Sequence, residues 1–374
     1  MNMLRLDRNW DQTILLLAVT LTCFGVVMVY SSSSIMAAKR FGDGFFFLKR
    51  QGFYALLGMG MMFLAMQVDY QHLRKLAAPI FIISVLLLVA VLLPGVGTKA
   101  GGAARWIRAL GFSLQPSELT KLALVIYLAH SLAKKKDKIK SLKFGFIPYM
   151  IVLAVVLLLL LLQPDLGTAV TLAAVAMTML LVAGARLSYL VSIVLLALPF
   201  LYVAIMHVGY RRRRILAFLN PWDDPTDTGF QIIQSWIAFG NGGIFGTGLG
   251  EGKQKLFYLP EAHTDFIFSV VGEELGFIGV FTVIAIFLML ILRGMRTALR
   301  IEDEFGTLLA FGISLMLGLQ VIVNLGVGLG LLPTKGMTLP MLSYGGTSLL
   351  VTLTAIGILL NISAHADNGG EVRR

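Results

Sequence analysis

The sequence predicts an all-α integral membrane protein of about ten transmembrane helices with one large extracytoplasmic loop. Three observations predict it. Hydrophobic residues make up 57% of the 374 residues and charged residues only 14%, against about 25% charged in an ordinary soluble domain. Mean hydropathy is +0.84, and a soluble chain this apolar would leave larger apolar patches in water than soluble monomers carry. The apolar residues also fall in continuous runs of about 20, the length a helix needs to cross the hydrocarbon core. The scarcity of charge excludes disorder and coiled coil, and the single cysteine, Cys23, excludes a disulfide scaffold. A net charge of +11 then speaks to anionic lipids or ligands. No nucleic acid is expected, since no soluble basic face exists to hold a duplex.

The runs place spans at 13–33, 51–68, 76–94, 118–133, 144–162, 167–183, 187–207, 266–292, 305–329 and 342–362. The fourth opens with charge, and only Gly184–Leu187 separates the sixth from the seventh. The runs are rich in Leu and Ala and do not alternate, which argues against a β-barrel. The first resembles a signal peptide with small residues at Ser33–Ala38. Because nine more spans follow, it reads as a retained anchor. Residues 1–374 form a single polytopic domain, with no soluble domain or clear internal repeat.

An even span count puts both termini on one side, expected to be the cytoplasm. Lys plus Arg then number 16 inside and 15 outside, which is no clear positive-inside signal. The dense block Lys134–Lys143, opposed only by Asp137, favours the cytoplasm for that loop. An excess of cations on the opposite face would suit a polyanionic ligand there. The one long loop, 208–265, holds Trp222, Phe230, Trp236, Phe239, Phe257 and Tyr258, so it is not disorder-like, and loops of such length are usually functional. Within it QIIQSWIAFG reads as a short amphipathic helix. The glycines at 240, 242, 243, 246, 248, 250 and 252 read as a tight or re-entrant loop. A nucleotide loop fails because no strand precedes them and Gly252-Lys253-Gln254 lacks the required Ser or Thr.

Ionisable residues at membrane depth are expensive and mark functional candidates. Asp265, at the entrance to the eighth span, reads as a general base in a partly dry site. The alternative makes Thr264 or Asp265 a helix N-cap. On a continuous helix, Gly272, Gly276 and Gly279 would share the face of Asp265 and turn it into the bundle. Glu273 and Glu274 lie deeper and suit structural or coupling roles. His263 is an interfacial histidine or an acid, with no partner at metal-ligand spacing. Arg211–Arg214 form either a headgroup anchor or an arginine clamp for phosphate. Between the third and fourth spans, Arg105 joins a second basic group. Glu118 and Lys121 share a helix face there as an ion pair, structural or functional. Asp165 in QPDLG resembles a helix cap, and Lys335 and Ser343 sit in the last loop, at the mouth of the tenth span. A metal held by carboxylates and substrate phosphates, in the manner of magnesium, would leave no sequence signature.

Three stretches carry a family resemblance: ARWI…QPSELTK, NPWDDPTDTGFQIIQSWIAFGNGGIFGTGLGEGKQKLFYLPEAHTDFIFSVVGEELG, and LLPTKGMTLPMLSYGGTS. Together, and over essentially the whole chain, they resemble the SEDS family of bacterial cell-wall glycosyltransferases. The TKG and PWDDP runs are closest to its cell-division branch. The resemblance implies polymerisation of lipid II, the undecaprenyl-pyrophosphate-linked disaccharide-pentapeptide, on the outer face of the cytoplasmic membrane at the division septum. It also implies a catalytic aspartate at Asp265 of HTDF, and a class B penicillin-binding protein and other divisome membrane proteins as partners. One carboxylate base acting by direct displacement implies an inverting mechanism. Arg105, Lys121, Arg213, Arg214, His263, Lys335 and Ser343 are the substrate-binding candidates, and a divalent cation such as Mg2+ beside the pyrophosphate stays open. Two other readings compete: a lipid II flippase, for which Glu273 and Glu274 would supply polar groups through the membrane, and a non-catalytic divisome scaffold.

Overall fold

The computed structural model describes residues 9–100, 103–109, 112–256 and 259–371. Ten helices coincide with the ten expected spans: α1 (Gln12–Phe41), α2 (Phe46–Gln67), α3 (Gln71–Leu92), α4 (Pro116–Lys134), α5 (Ile147–Leu162), α6 (Leu166–Val182), α7 (Leu187–Met206), α10 (Ile267–Arg300), α11 (Glu304–Gly328) and α12 (Gly346–Glu371). Seven of these are individually long and apolar enough to cross a membrane, and α6 is a shorter apolar helix. The two others, α2 and α4, carry charges in their first two turns, Lys49 and Arg50 in α2 and Glu118 and Lys121 in α4, so apolarity alone does not mark them as spans.

Helix ends follow local chemistry. Asp11 caps α1 by accepting from the amides of Thr13 and Ile14, and Gly42 closes it in the left-handed region at φ 71°. Pro116 opens α4 at a position whose missing N–H costs nothing. Asp165 caps α6 through the Thr168 amide, and Asp303 caps α11 through Gly306.

In the middle of the molecule, α4, α11 and α12 are the most buried of the spans, whereas α7 buries only Leu190. The long apolar face of α7 is suited to lipid, where exposed Leu and Val cost nothing. The helices α2 and α12 approach closely: a Cβ on Gly357 would lie 2.4 Å from the Met62 carbonyl oxygen, so a larger residue there would force the pair apart.

The structure adds one element to the expected helices: β1 (Gly97–Ala100), β2 (Ala103–Ala109) and β3 (Phe112–Leu114) form a small antiparallel sheet in order β1-β2-β3 between α3 and α4. No alternation in the sequence marks these strands, and the antiparallel pairing itself satisfies their backbone. The 208–265 loop is largely folded, in keeping with its aromatic content, with α8 (Gly209–Leu219) carrying the arginine run, a 3-10 turn at Pro221–Asp223 and α9 (Phe230–Gly242). The expected amphipathic helix is α9; Ile232, Ile233, Ser235 and Ala238 form its buried face.

Candidate active site

At one end of the bundle the loops converge on Asp265. It closes a turn two residues before α10 begins, not on the helix itself. The α10 N-cap is Phe266, and its side chain makes no cap bond, so the cap reading of Asp265 finds no support. The glycine-face argument also fails, because Gly276 has φ 64° and ψ −162° and breaks α10 into two segments. What orients Asp265 is the turn. Glu261, itself at φ 56°, accepts from the amides of Thr264, Asp265 and Phe266 on its carbonyl. Non-glycine residues held in that region commonly mark functional sites. From α11, the Asn324 amide donates to the Asp265 carbonyl at 3.0 Å and to the Met337 carbonyl at 2.6 Å.

The Asp265 carboxyl faces the last loop. A Cβ on Gly336 would lie 3.0 Å from its Oδ2. Burial, reinforced by the nearby Glu261 carboxylate, pushes Asp265 up to about 7, while Arg214, Arg105 and Lys335 pull the other way. These three cations come from α8, β2 and the last loop. Arg105 donates to the carbonyls of Gln163 and Pro164, which ties the sheet to the start of α6. Arg214 donates to the Thr334 carbonyl at 3.3 Å. Lys335 lies across the first turn of α6, where a Cβ on Gly167 would fall 1.6 Å from its Cε, and its Nζ donates to Thr171 Oγ1. Burial lowers Lys335 to about 8; Asp165 and Glu118 raise it, and Lys121 and Arg105 lower it further. Glu118 and Lys121 pair at 2.8 Å and are buried, so they form the floor of this charged chamber.

The other candidates separate. Arg213 is exposed on α8, as is Arg214, but it is Arg214 that donates to the Thr334 carbonyl and acts on the Asp265 carboxyl. His263 is buried against Phe47 and Tyr344, with ring centroids 4.7 and 5.8 Å away, and burial holds its imidazole below the usual range against the opposing Glu261. It therefore belongs to the neutral wall, not the cationic set. Ser343 donates to the Thr264 carbonyl and accepts from the Leu339 amide, so it joins the last loop to the Asp265 turn. Glu273 and Glu274 are buried away from Asp265: Glu273 accepts from the amides of Lys253 and Gln254, and Glu274 pairs with Lys255 Nζ at 2.7 Å and accepts from Ser31 Oγ. Among the described residues no three His, Cys, Asp or Glu side chains gather into a metal-binding group.

Sequence reasoning missed Asn324, Gln51 and Gln163. Gln51 in α2 donates to the Ser343 carbonyl, and Gln163 to the Leu88 carbonyl. Asn324 and Gln51 are amides within apolar spans, and that polarity was a usable signal. Gln163 carried none beyond its proximity to Asp165.

Fold and site together define a polytopic helical membrane protein with a half-buried charged cluster in which Arg105, Arg214 and Lys335 act on the Asp265 carboxyl. The chain belongs to the cell cycle protein family of FtsW, RodA and SpoVE, whose sequence profile matches residues 11–368. It is 62% identical over 365 residues to the probable peptidoglycan glycosyltransferase FtsW of Geobacter sulfurreducens, covering 98% of each chain. It is 44% identical to the stage V sporulation protein E of Bacillus subtilis, covering 95% of this chain and 97% of that one. Among solved structures it is similar to a chain of a peptidoglycan synthase complex coordinating polymerization and crosslinking, with 32% identity, TM-score 0.78 and coverage of 97% and 99%. It is also similar to the rod-shape-determining protein RodA of Thermus thermophilus, with 29% identity, TM-score 0.70 and coverage of 95% and 96%.

Proposed function

We propose that the chain is a peptidoglycan glycosyltransferase of cell division that polymerises lipid II on the outer face of the cytoplasmic membrane at the septum. The observation that carries this is the placement of the Asp265 carboxyl against the last loop, where burial pushes it up to about 7 and Arg105, Arg214 and Lys335 act on it. Asp265 removes the proton of the acceptor sugar 4-hydroxyl as that oxygen bonds to the donor's anomeric carbon. The bond from that carbon to the pyrophosphate oxygen breaks, and its electron pair leaves with the phosphate. The three cations stabilise this developing charge, the kind of preorganised electrostatics that dominates such transfers. A base near the working pH is effective because it is both available and basic enough to accept the proton. Direct displacement with one carboxylate inverts the anomeric centre. Arg213 extends the cationic face toward the approaching headgroup.

A magnesium ion would be held mainly by the pyrophosphate's own oxygens and water, since Asp165 caps α6 and Asp265 serves as the base. It would neutralise pyrophosphate charge. Both termini are cytoplasmic in this reading, and a class B penicillin-binding protein supplies crosslinking beside other divisome membrane proteins. The engaged state of Glu273 and Glu274, whose carboxylates are taken up by backbone amides, Lys255 and Ser31, supports an enzyme over a flippase path through the membrane.

The test uses purified protein with labelled lipid II, scored for polymer in detergent and for transfer across liposomes. Wild type is expected to form polymer, and Asp265→Asn, which keeps the shape but not the base, to lose about 10²–10⁴-fold at matched thermal stability and partner occupancy. Near-normal polymer from the Asn variant would end the general-base assignment, and vectorial transfer without polymer would establish the flippase.

A further inference from the structure

The break in α10 is spliced by a second piece of backbone. In an unbroken helix the amides of Phe277 and Ile278 would bond the carbonyls of Glu273 and Glu274. Instead, Phe277 N–H donates to the Gly243 carbonyl at 2.9 Å and Ile278 N–H to that of Ile244 at 3.2 Å. The freed Glu273 and Glu274 carbonyls accept from the amides of Thr247 and Gly248, each at 3.0 Å. The glycine loop after α9 thus satisfies all four backbone groups, as irregular backbone buried at membrane depth requires. Glycine at 276 is needed twice: for its left-handed φ, and because a Cβ would lie 2.3 Å from the Gly246 nitrogen.

The side chains of the same two glutamates seize the next part of the loop. Glu273 Oε1 accepts from Lys253 N–H at 2.9 Å and Glu273 Oε2 from Gln254 N–H at 3.1 Å. Glu274 Oε1 meets Lys255 Nζ at 2.7 Å, and both groups meet Ser31 Oγ of α1. Glu274 and Lys255 are buried, at 0% and 6% exposure. Leu259 N–H donates to the Gln254 carbonyl, just ahead of the Glu261 turn that carries Asp265. The outer segment of α10, residues 267–275, is therefore gripped from both sides by the loop that leads into it.

We propose that Glu273, Glu274 and Lys255, with Ser31, are positioning residues for the transferase reaction: they lock the glycine loop onto the broken α10 and so set where Asp265 stands against the cationic chamber. A buried, interlocked polar network of this kind favours one arrangement, and a displacement of about 1 Å at the reacting centre can cost on the order of 10²-fold. The lock touches no substrate and acts through the turn. The inference rests on Asp265 being the base.

The experiment compares lipid II polymerisation by Lys255→Met, Glu274→Gln and the double variant with wild type and Asp265→Asn. Each single change leaves one buried charge uncompensated and should lower both Tm and kcat. The double variant removes both charges and should regain Tm, while kcat stays about tenfold down at unchanged KM, since orientation and not substrate contact is lost. Gly252→Ala gives an arm that deletes no charged group: its Cβ would lie 2.8 Å from Glu273 Oε2 and 3.1 Å from Glu274 Cγ, loosening the loop against the carboxylates. It should show the same kcat loss at wild-type KM. Wild-type kcat in Gly252→Ala, or in a double variant of restored Tm, overturns the lock. So does a rise in KM with kcat intact, which would make these groups substrate contacts. An active Asp265→Asn instead removes the general-base reading, and the loop variants still report separately on the lock.

Discussion

Asn324 of α11 and Asp265 are joined through the backbone: the Asn324 amide donates to the Asp265 carbonyl at 3.0 Å while its second hydrogen serves the Met337 carbonyl at 2.6 Å. One buried side chain thus holds the carboxylate-bearing turn and the Lys335-bearing loop in fixed relation. Asn324→Asp keeps the size but, when ionised, offers no donor. It should leave two carbonyls unserved, cost about 1–3 kcal/mol of stability and lower kcat on the order of tenfold or more, while Asp265 itself is unchanged. Thermal unfolding and single-turnover polymerisation check this. Wild-type kcat would show that the turn holds itself.

The pH dependence has two limbs. Asp265 is raised to about 7, so the base form appears as pH rises through that value. Lys335 is lowered to about 8, so its charge is lost as pH rises through that value. The kcat/KM of the free enzyme should therefore be bell-shaped, with a narrow maximum between these two values. In the complex, the pyrophosphate's negative charge disfavours ionised Asp265 and favours charged Lys335, so both limbs of kcat should move upward. A Lys335→Arg variant should lose the alkaline limb, since the guanidinium does not titrate there. A flat profile between pH 6 and pH 9, on the order of one unit beyond each limb, would remove both assignments.

Arg105, Arg214 and Lys335 should act together. Single replacements by Gln should weaken lipid II use several-fold, and the triple by on the order of 10²–10³, the scale of losing preorganised transition-state charge. The loss should fall in kcat more than in KM. Arg213→Gln should be milder than Arg214→Gln, since it is Arg214 that donates to the Thr334 carbonyl and acts on the Asp265 carboxyl. Normal kinetics in the triple variant would return these residues to a headgroup anchor.

Orientation is checked by cysteine labelling after Cys23, which is exposed, has been replaced. A membrane-impermeant reagent applied from outside should reach a cysteine at Thr226 and not one at Lys138. The reverse pattern would place the chamber in the cytoplasm and exclude chemistry on the outer face.

The seven long apolar helices and the shorter α6 were legible in the sequence because burying a run of about 20 apolar residues in lipid is a local decision that needs no knowledge of neighbours. Caps were legible for the same reason, as at Asp165 before α6, and so was the amphipathic helix α9. Asp265 stood out as a carboxylate at a span entrance, but the reason for its orientation did not survive. The sequence suggested a continuous helix with a glycine face, whereas the fold breaks that helix at Gly276, because the 243–248 loop supplies the hydrogen bonds a break would otherwise leave open. The small sheet that carries Arg105 was invisible for a like reason, since its strands are stabilised by pairing and not by a pattern of their own. Which candidates meet was decided only by tertiary structure. Arg105, Arg214 and Lys335 are distant in sequence from Asp265, and electrostatic reach depends on the through-space distance that packing alone creates. The same packing turned His263 into a neutral wall residue, engaged Ser343 in joining two loops, and drew Glu273 and Glu274 into the backbone splice. Residue chemistry set what each group was capable of doing. Burial and partners, which exist only once the bundle has closed, decided what each one does.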